Sequence, residues 1–265
     1  MIKPLRHVRG TYGEPIPLYG EEGFVGMRAA GRLASQTLDH IMPFVKAGAS
    51  TKYLNDVCHE FITSHNAIPA PLNYKGFPQS ICTSVNHVIC HGIPSETKIL
   101  QEGDIINIDV TVILDGWYGD TSRMFAVGGI PLRAEKLIDV TYECMMRAIE
   151  IVRPGATLGD IGHAIQSHAE KHGFSVVRDF CGHGLGREFH VSPEVVHYGN
   201  PGEGMALEEG MFFTIEPMIN AGHYAAKVLR DGWTAVTRDK SLSAQFEHSL
   251  GVTASGCEVF TTSGA

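Results

Sequence analysis

Laid against itself at an offset of 107 residues, the sequence repeats. VKAGASTKYLNDVCHEFITSHNA (45–67) matches VRPGATLGDIGHAIQSHAEKHGF (152–174), with Gly48 on Gly155, and EGDIINID (102–109) matches EGMFFTIE (209–216). Two blocks sharing one offset confine the chain to two like halves. In the first block a glycine and a Ser/Thr cap precede apolar residues at helical spacing, Leu54, Val57 and Phe61 in one copy and Ile161 and Ile165 in the other. Residues 21–42 and 132–152, ahead of each block, are also helical in period. The second block reads as a strand and lays a carboxylate on a carboxylate, Asp109 on Glu216. The expected class is α+β. Two helix-plus-antiparallel-strand halves, roughly 21–130 and 131–262, would be related by a pseudo-twofold with acids meeting at the centre.

Asp109 sits in an unusual place. Ile106, Ile108, Val110, Val112 and Leu114 are apolar at every second position, and Asp115-Gly116 is a strong hairpin signal. A two-residue turn pairs Leu114 with Trp117, so Thr111 faces Asp120 and Asp109 faces Ser122. Asp109 and Asp120 are then diagonal neighbours on one face, roughly 7–8 Å apart at the backbone. Two carboxylates so placed repel, and neither is cheap to bury. A divalent cation between them removes both objections; an ordinary solvated outer face is the alternative. In the second half a strand over 211–215 ends at Glu216-Pro217, and a final strand over 245–252 carries Glu247. Asp120 follows Asp109 by 11 residues and Glu247 follows Glu216 by 31, so the second half repeats the first with a longer connection. CHG (90–92) likewise echoes GHG (182–184).

The candidate ligands are therefore Asp109, Asp120, His183, Glu216 and Glu247. Four carboxylates and one imidazole suit two divalent ions about 3.5–4 Å apart, with some carboxylates bridging. Mostly oxygen ligation with one nitrogen points to Mn, Fe(II), Co or Zn. The formal charge of −8 argues against a general nucleic-acid binder. The six cysteines form no CxxC and read as reduced thiols of a cytoplasmic protein. No apolar run approaches the ~18–20 residues of a membrane span. Residues 1–20 contain no signal-peptide block and read as a loosely held arm, with Lys3, Arg6 and Arg9 as its weak basic bias, ahead of one domain over 21–265.

NIDVTVILDGWYGDTSRMF, CGHGLGREFH, FTIEPM and SAQFEH together resemble the signature segments of type I methionine aminopeptidases. The resemblance spans residues 21–262 and implies the pita-bread fold around a dinuclear metal site. It implies that Asp109 chelates one metal, that His183 and Glu216 bind the other, and that Asp120 and Glu247 bridge them. His190 matches the residue that hydrogen-bonds the substrate carbonyl, and His91 the one near the scissile nitrogen; alone, each would read as a structural histidine. Glu216 is expected to carry a proton as well as bind metal. Tyr74, Phe77, Cys82, Phe189 and Trp233 match the methionine pocket, although aromatics in isolation are more often plain core. Phe77 stands where some relatives carry tyrosine and Pro71 where others carry cysteine. Asn86, Val88 and Ser243 match positions that offer oxygens to a monovalent cation.

The implied activity is removal of N-terminal methionine from nascent chains whose second residue is small. The enzyme would be monomeric, with transient ribosome association. A proline-directed or creatine-type hydrolase on the same fold normally has an extra N-terminal domain. A non-enzymatic binding module of the same fold loses metal ligands, and a structural domain would carry its acids on the surface. Only 32 residues separate His183 from Glu216, too few for the type II insertion, so the resemblance is to the bacterial form.

Overall fold

The computed structural model describes residues 6–263. Strands β1 (Arg6–Arg9) and β2 (Pro15–Leu18) precede helices α1 (Glu21–Ile41) and α2 (Thr51–Ser64). They are followed by β3 (Ile68–Pro69), β4 (Cys82–Val85), β5 (Val88–Cys90), β6 (Ile105–Leu114) and β7 (Trp117–Ala126). The second half begins with α3 (Leu132–Ile151) and α4 (Leu158–Lys171), then β8 (Ser175–Val176), β9 (Gly182–Gly184) and β10 (Val191–Val195). It continues through β11 (Phe212–Ile215), β12 (Met218–Asn220), β13 (Ala226–Val228), β14 (Ala235–Thr237), β15 (Ser243–Gln245), β16 (Glu247–Val252) and β17 (Cys257–Val259).

Both short helices start where the sequence marks them. Ser50 accepts the Tyr53 amide at the start of α2, and Thr157 with Asp160 forms a reciprocal capping box on α4. Each half turns its helices onto its own core. Leu38 of α1 and Leu54 and Ile62 of α2 pack with Ile106, Ile108 and Val110. Leu137 of α3 and Ile161 and Ile165 of α4 pack with Phe213 and Ile215.

The main sheet runs β10-β9-β11-β16-β7-β6-β3, with β4 also on β6 and β17 on β16. The halves join where β16 pairs with β7, Glu247 opposite Ser122 and His248 opposite Thr121. Outward from that seam the first half runs β7, β6, β4 and the second β16, β11, β9, which is the arrangement a duplicated unit makes about a pseudo-twofold. The connection that is a two-residue turn between β6 and β7 becomes β12 to β15 between β11 and β16.

Three expectations need correction. The second strand starts at Phe212, and the final one is split at Phe246 into β15 and β16, so Glu247 opens a strand instead of sitting within one. The polar face of the β6–β7 hairpin is covered, with Asn107 and Thr111 both buried, so the solvated outer face fails. The loosely held arm is not what residues 6–20 form. β1 and β2 pair, Ile16 and Leu18 lie in the second-half core, and the Tyr19 amide donates to the Gly210 carbonyl. Residues 1–5, and with them Lys3, lie outside the described part.

Candidate active site

The hairpin adopts the register its turn dictates. Asp115 and Gly116 both have positive φ (50° and 76°), as a type I′ turn requires, and Thr111 pairs with Asp120 and Asp109 with Ser122. Asp109 and Asp120 thus project from adjacent strands, Glu216 follows the last residue of β11, and Glu247 is the first of β16. His183 is central in β9, where a Cβ on Gly182 or Gly184 would run into the Thr214 or Ser192 carbonyl. The glycines allow that close packing.

All five side chains line one cavity of about 590 Å³. His183 Nε2 lies 3.5 Å from Asp120 Oδ2 and 3.6 Å from Glu216 Oε1. Its Nδ1 lies 3.1 Å from the Gly184 carbonyl, which assigns the proton to Nδ1 and leaves Nε2 as a donor atom for a metal. Ligand atoms of Asp120, His183 and Glu247 all fall within 4.8 Å of one another. Burial pushes the carboxyls of Asp109 and Glu247 well above the carboxylate range, and the neighbouring Asp120 charge adds to this. Burial likewise lifts Glu216 to about 7, against the His183 charge. Burial opposes the charged form of His183, but the Asp120 hydrogen bond and the Glu216 charge raise it to about 9. Acids crowded together out of water, around an imidazole whose Nε2 faces them, form a donor set that fits divalent cations.

Supporting bonds hold this set. Thr111 Oγ1 donates to Asp120 Oδ1 at 2.6 Å, and Thr121 Oγ1 to the Glu247 carbonyl at 2.7 Å. Thr214 Oγ1 accepts the His183 amide and donates to Glu216 Oε1, while Gln245 Nε2 donates to Glu216 Oε2. The Glu216 amide donates to Nε2 of fully buried His197, which burial drives down to about 3 and keeps neutral. Sequence reasoning passed over these residues. Thr111 was detectable as the partner of Asp120, and Thr214 and Gln245 as residues two before Glu216 and Glu247, on the same side of a strand. His197 had no such signal.

Tyr74, Phe77, Cys82, His91, Phe189, His190 and Trp233 also line the cavity. Phe77 packs edge-on to Trp233 at 5.2 Å and Tyr74 lies 4.8 Å from Phe189, which makes two aromatic walls. His190, at the cavity mouth, has Nδ1 3.0 Å from the Tyr74 hydroxyl; part of the residue stays exposed, and loss of water around the ring, with the neighbouring His183, holds its pKa down. His91 follows β5 with φ of 56°, a strained conformation for a non-glycine, and burial lowers its pKa as well. The CHG and GHG echo thus ends in different backbones, an irregular segment past β5 and a strand. Asn86 and Ser243 meet through a backbone bond, Ser243 N–H to Asn86 O, and with Val88 lie apart from the cavity lining. The Asn86 amide oxygen already accepts the Ile105 N–H.

The sequence pattern of metallopeptidase family M24 matches residues 25–254. A methionine aminopeptidase from Rickettsia prowazekii is 65% identical over 249 residues, 94% of this chain and 96% of that protein. The crystal structure of methionine aminopeptidase from the same organism superposes with a TM-score of 0.92 at 64% identity, covering 93% of this chain and 100% of that one. That of methionine aminopeptidase from Thermotoga maritima gives 0.91 at 37% identity, covering 93% and 99%.

Proposed function

The chain belongs to metallopeptidase family M24, and from that premise we propose that it is a methionyl aminopeptidase that trims N-terminal methionine from nascent chains when the second residue is small. The observation that carries this reading is the joining in one cavity of a buried acid–imidazole donor set and two aromatic walls. Divalent ions held there would supply Lewis acidity and lower the pKa of water. Two ions, Mn, Fe(II), Co or Zn, suit four carboxylates and one imidazole. We assign Asp109 to one, His183 and Glu216 to the other, and Asp120 and Glu247 to both.

The remaining chemistry falls to side chains of this chain. Glu216 is assigned to take a proton and return it to the leaving amine. Tyr74 donating to Nδ1 of His190 leaves Nε2–H to stabilise the carbonyl oxygen as it gains charge. His91 is assigned to the scissile nitrogen. Tyr74, Phe77, Cys82, Phe189 and Trp233 hold the flexible thioether, which favours aromatic contact. For the rest, Asn86, Val88 and Ser243 are assigned to a monovalent cation. The working form is a cytoplasmic monomer that meets chains at the ribosome. Six free cysteines favour a reducing compartment, and no described helix is long and apolar enough to cross a membrane.

The test is a peptide panel with added Mn(II), Fe(II) or Co(II). Met-Ala-Ser should be cut, Leu-Ala-Ser and Met-Lys-Ser poorly, and Pro-Ala-Ser and acetylated Met-Ala-Ser not at all. Efficient cutting of the acetylated peptide, or equal cutting of Met-Ala and Met-Lys peptides, would overturn the reading.

A further inference from the structure

Glu216 stands where its strand gives out. Ile215 is the last residue of β11 in register with β16, opposite His248, and the next residue, Pro217, has no N–H. The amide of Glu216 lies past the paired part of β11, and its acceptor is a side chain, His197 Nε2 at 3.2 Å. His197 lies just past β10, is 0% exposed and forms no part of the cavity lining. Because Nε2 accepts, Nδ1 carries the proton, and it finds no partner among the described residues. An apolar side chain of similar volume would fill this place without burying an unpaired donor, so packing alone does not explain an imidazole here. Thr214 and Gln245 grip the two carboxylate oxygens of Glu216 and so fix its side chain. Neither holds the peptide from which that side chain springs.

We propose that His197 is a positioning residue: it replaces the missing strand partner at the end of β11 and so fixes the backbone that aims the Glu216 carboxylate into the site. It touches neither substrate nor metal and acts only through Glu216. This rests on Glu216 being a metal ligand and proton carrier. Partners of this kind behind a ligand are worth about 10–100-fold in metal affinity or activity.

The experiment titrates metal-free wild type, His197→Leu, His197→Gln, His197→Asn and Glu216→Gln with Mn(II) by calorimetry, and measures kcat and KM on Met-Ala-Ser. A Gln oxygen reaches the position of Nε2; an Asn oxygen stops at that of Nδ1. With His197→Leu, one Mn(II) equivalent should bind at least about 10-fold more weakly and kcat should fall about 10–100-fold, with KM little changed. His197→Gln should recover most of both, and His197→Asn should not. If His197→Leu does not fold by circular dichroism, the Gln–Asn contrast decides. Wild-type Mn(II) affinity and kcat in His197→Leu, or Gln no better than Asn, would overturn the proposal. Loss of metal in Glu216→Gln alongside that result leaves the reading of Glu216 standing and removes only the role of His197. Full metal content and turnover in Glu216→Gln would overturn both.

Discussion

Asp120 is the acid most firmly held at the seam between the halves. Its side chain takes the Thr111 hydroxyl, and its backbone exchanges two bonds with Ser249. Asp120→Asn keeps the size and removes the charge shared between two ions. At least one metal equivalent should be lost and activity should fall of order 10²-fold, measured by metal analysis and steady-state kinetics. Full metal content with normal turnover would end the bridging assignment. His190→Ala should separate the other role. Metal content should stay intact while kcat drops by roughly 10²–10³, the scale of one lost oxyanion donor. Metal loss there would mean that a ligand has been misplaced. That Asp109, Asp120, His183, Glu216 and Glu247 line one cavity was foreshadowed by the sequence, because metal chemistry admits so few residue types. His197 carried no such signal, since a buried hydrogen-bonding side chain looks the same wherever it serves.

At the scale of elements, the β6–β7 hairpin was readable almost atom for atom, since a two-residue turn and a two-residue period leave no freedom of register. The connection to β9 was not readable. Arg187 lies 4.1 Å over the Trp117 ring and donates to the Asp115 carbonyl, tying the glycine-rich loop after His183 to the hairpin turn. Gly184 makes the fit between β9 and β10 testable. A Cβ there would strike the Ser192 carbonyl, so Gly184→Ala should push His183 out of line while the two helical cores stay packed. Mn(II) affinity should fall at least 10-fold with only a modest drop in Tm. Gly129→Ala, where an added Cβ meets nothing within 4 Å, should match wild type in both. Unchanged Mn(II) affinity in Gly184→Ala would show that β9 has room to spare. The misread arm belongs at this scale too. Ile16 and Leu18 gave too short an apolar pattern to suggest burial, and only the α3–α4 side of the molecule supplies the core that takes them in.

For the molecule as a whole, the crowding of acids ties stability to pH. Glu216 titrates at about 7 when folded against an ordinary 4.5, and Asp109 and Glu247 are shifted the same way. Below the ordinary value both folded and unfolded chains hold the proton and nothing is lost. As pH rises towards the folded value the unfolded chain ionises first, so the metal-free fold is progressively destabilised. Glu216→Gln should therefore make the metal-free protein more stable than metal-free wild type at pH 8, by about 1–3 kcal/mol, and the gain should vanish near pH 4–5. Urea unfolding in chelator at the two pH values measures it, and a gain independent of pH would refute the linkage. Divalent metal should reverse the order, because it favours the charged acid that the glutamine lacks. The sequence by itself determined the two halves through its repeat at an offset of 107, and the helix starts and hairpin register through local periodicity, capping and turn stereochemistry. Only the tertiary structure decided that the polar face of the hairpin is roofed over, that β16 begins at Glu247, and which uncharged side chains brace the site. The roof and the seam depend on contacts between residues more than 100 positions apart, such as Asn107 with Gln245 and Asp120 with Ser249, and the braces on side-chain geometry within about 30 positions that local rules do not specify.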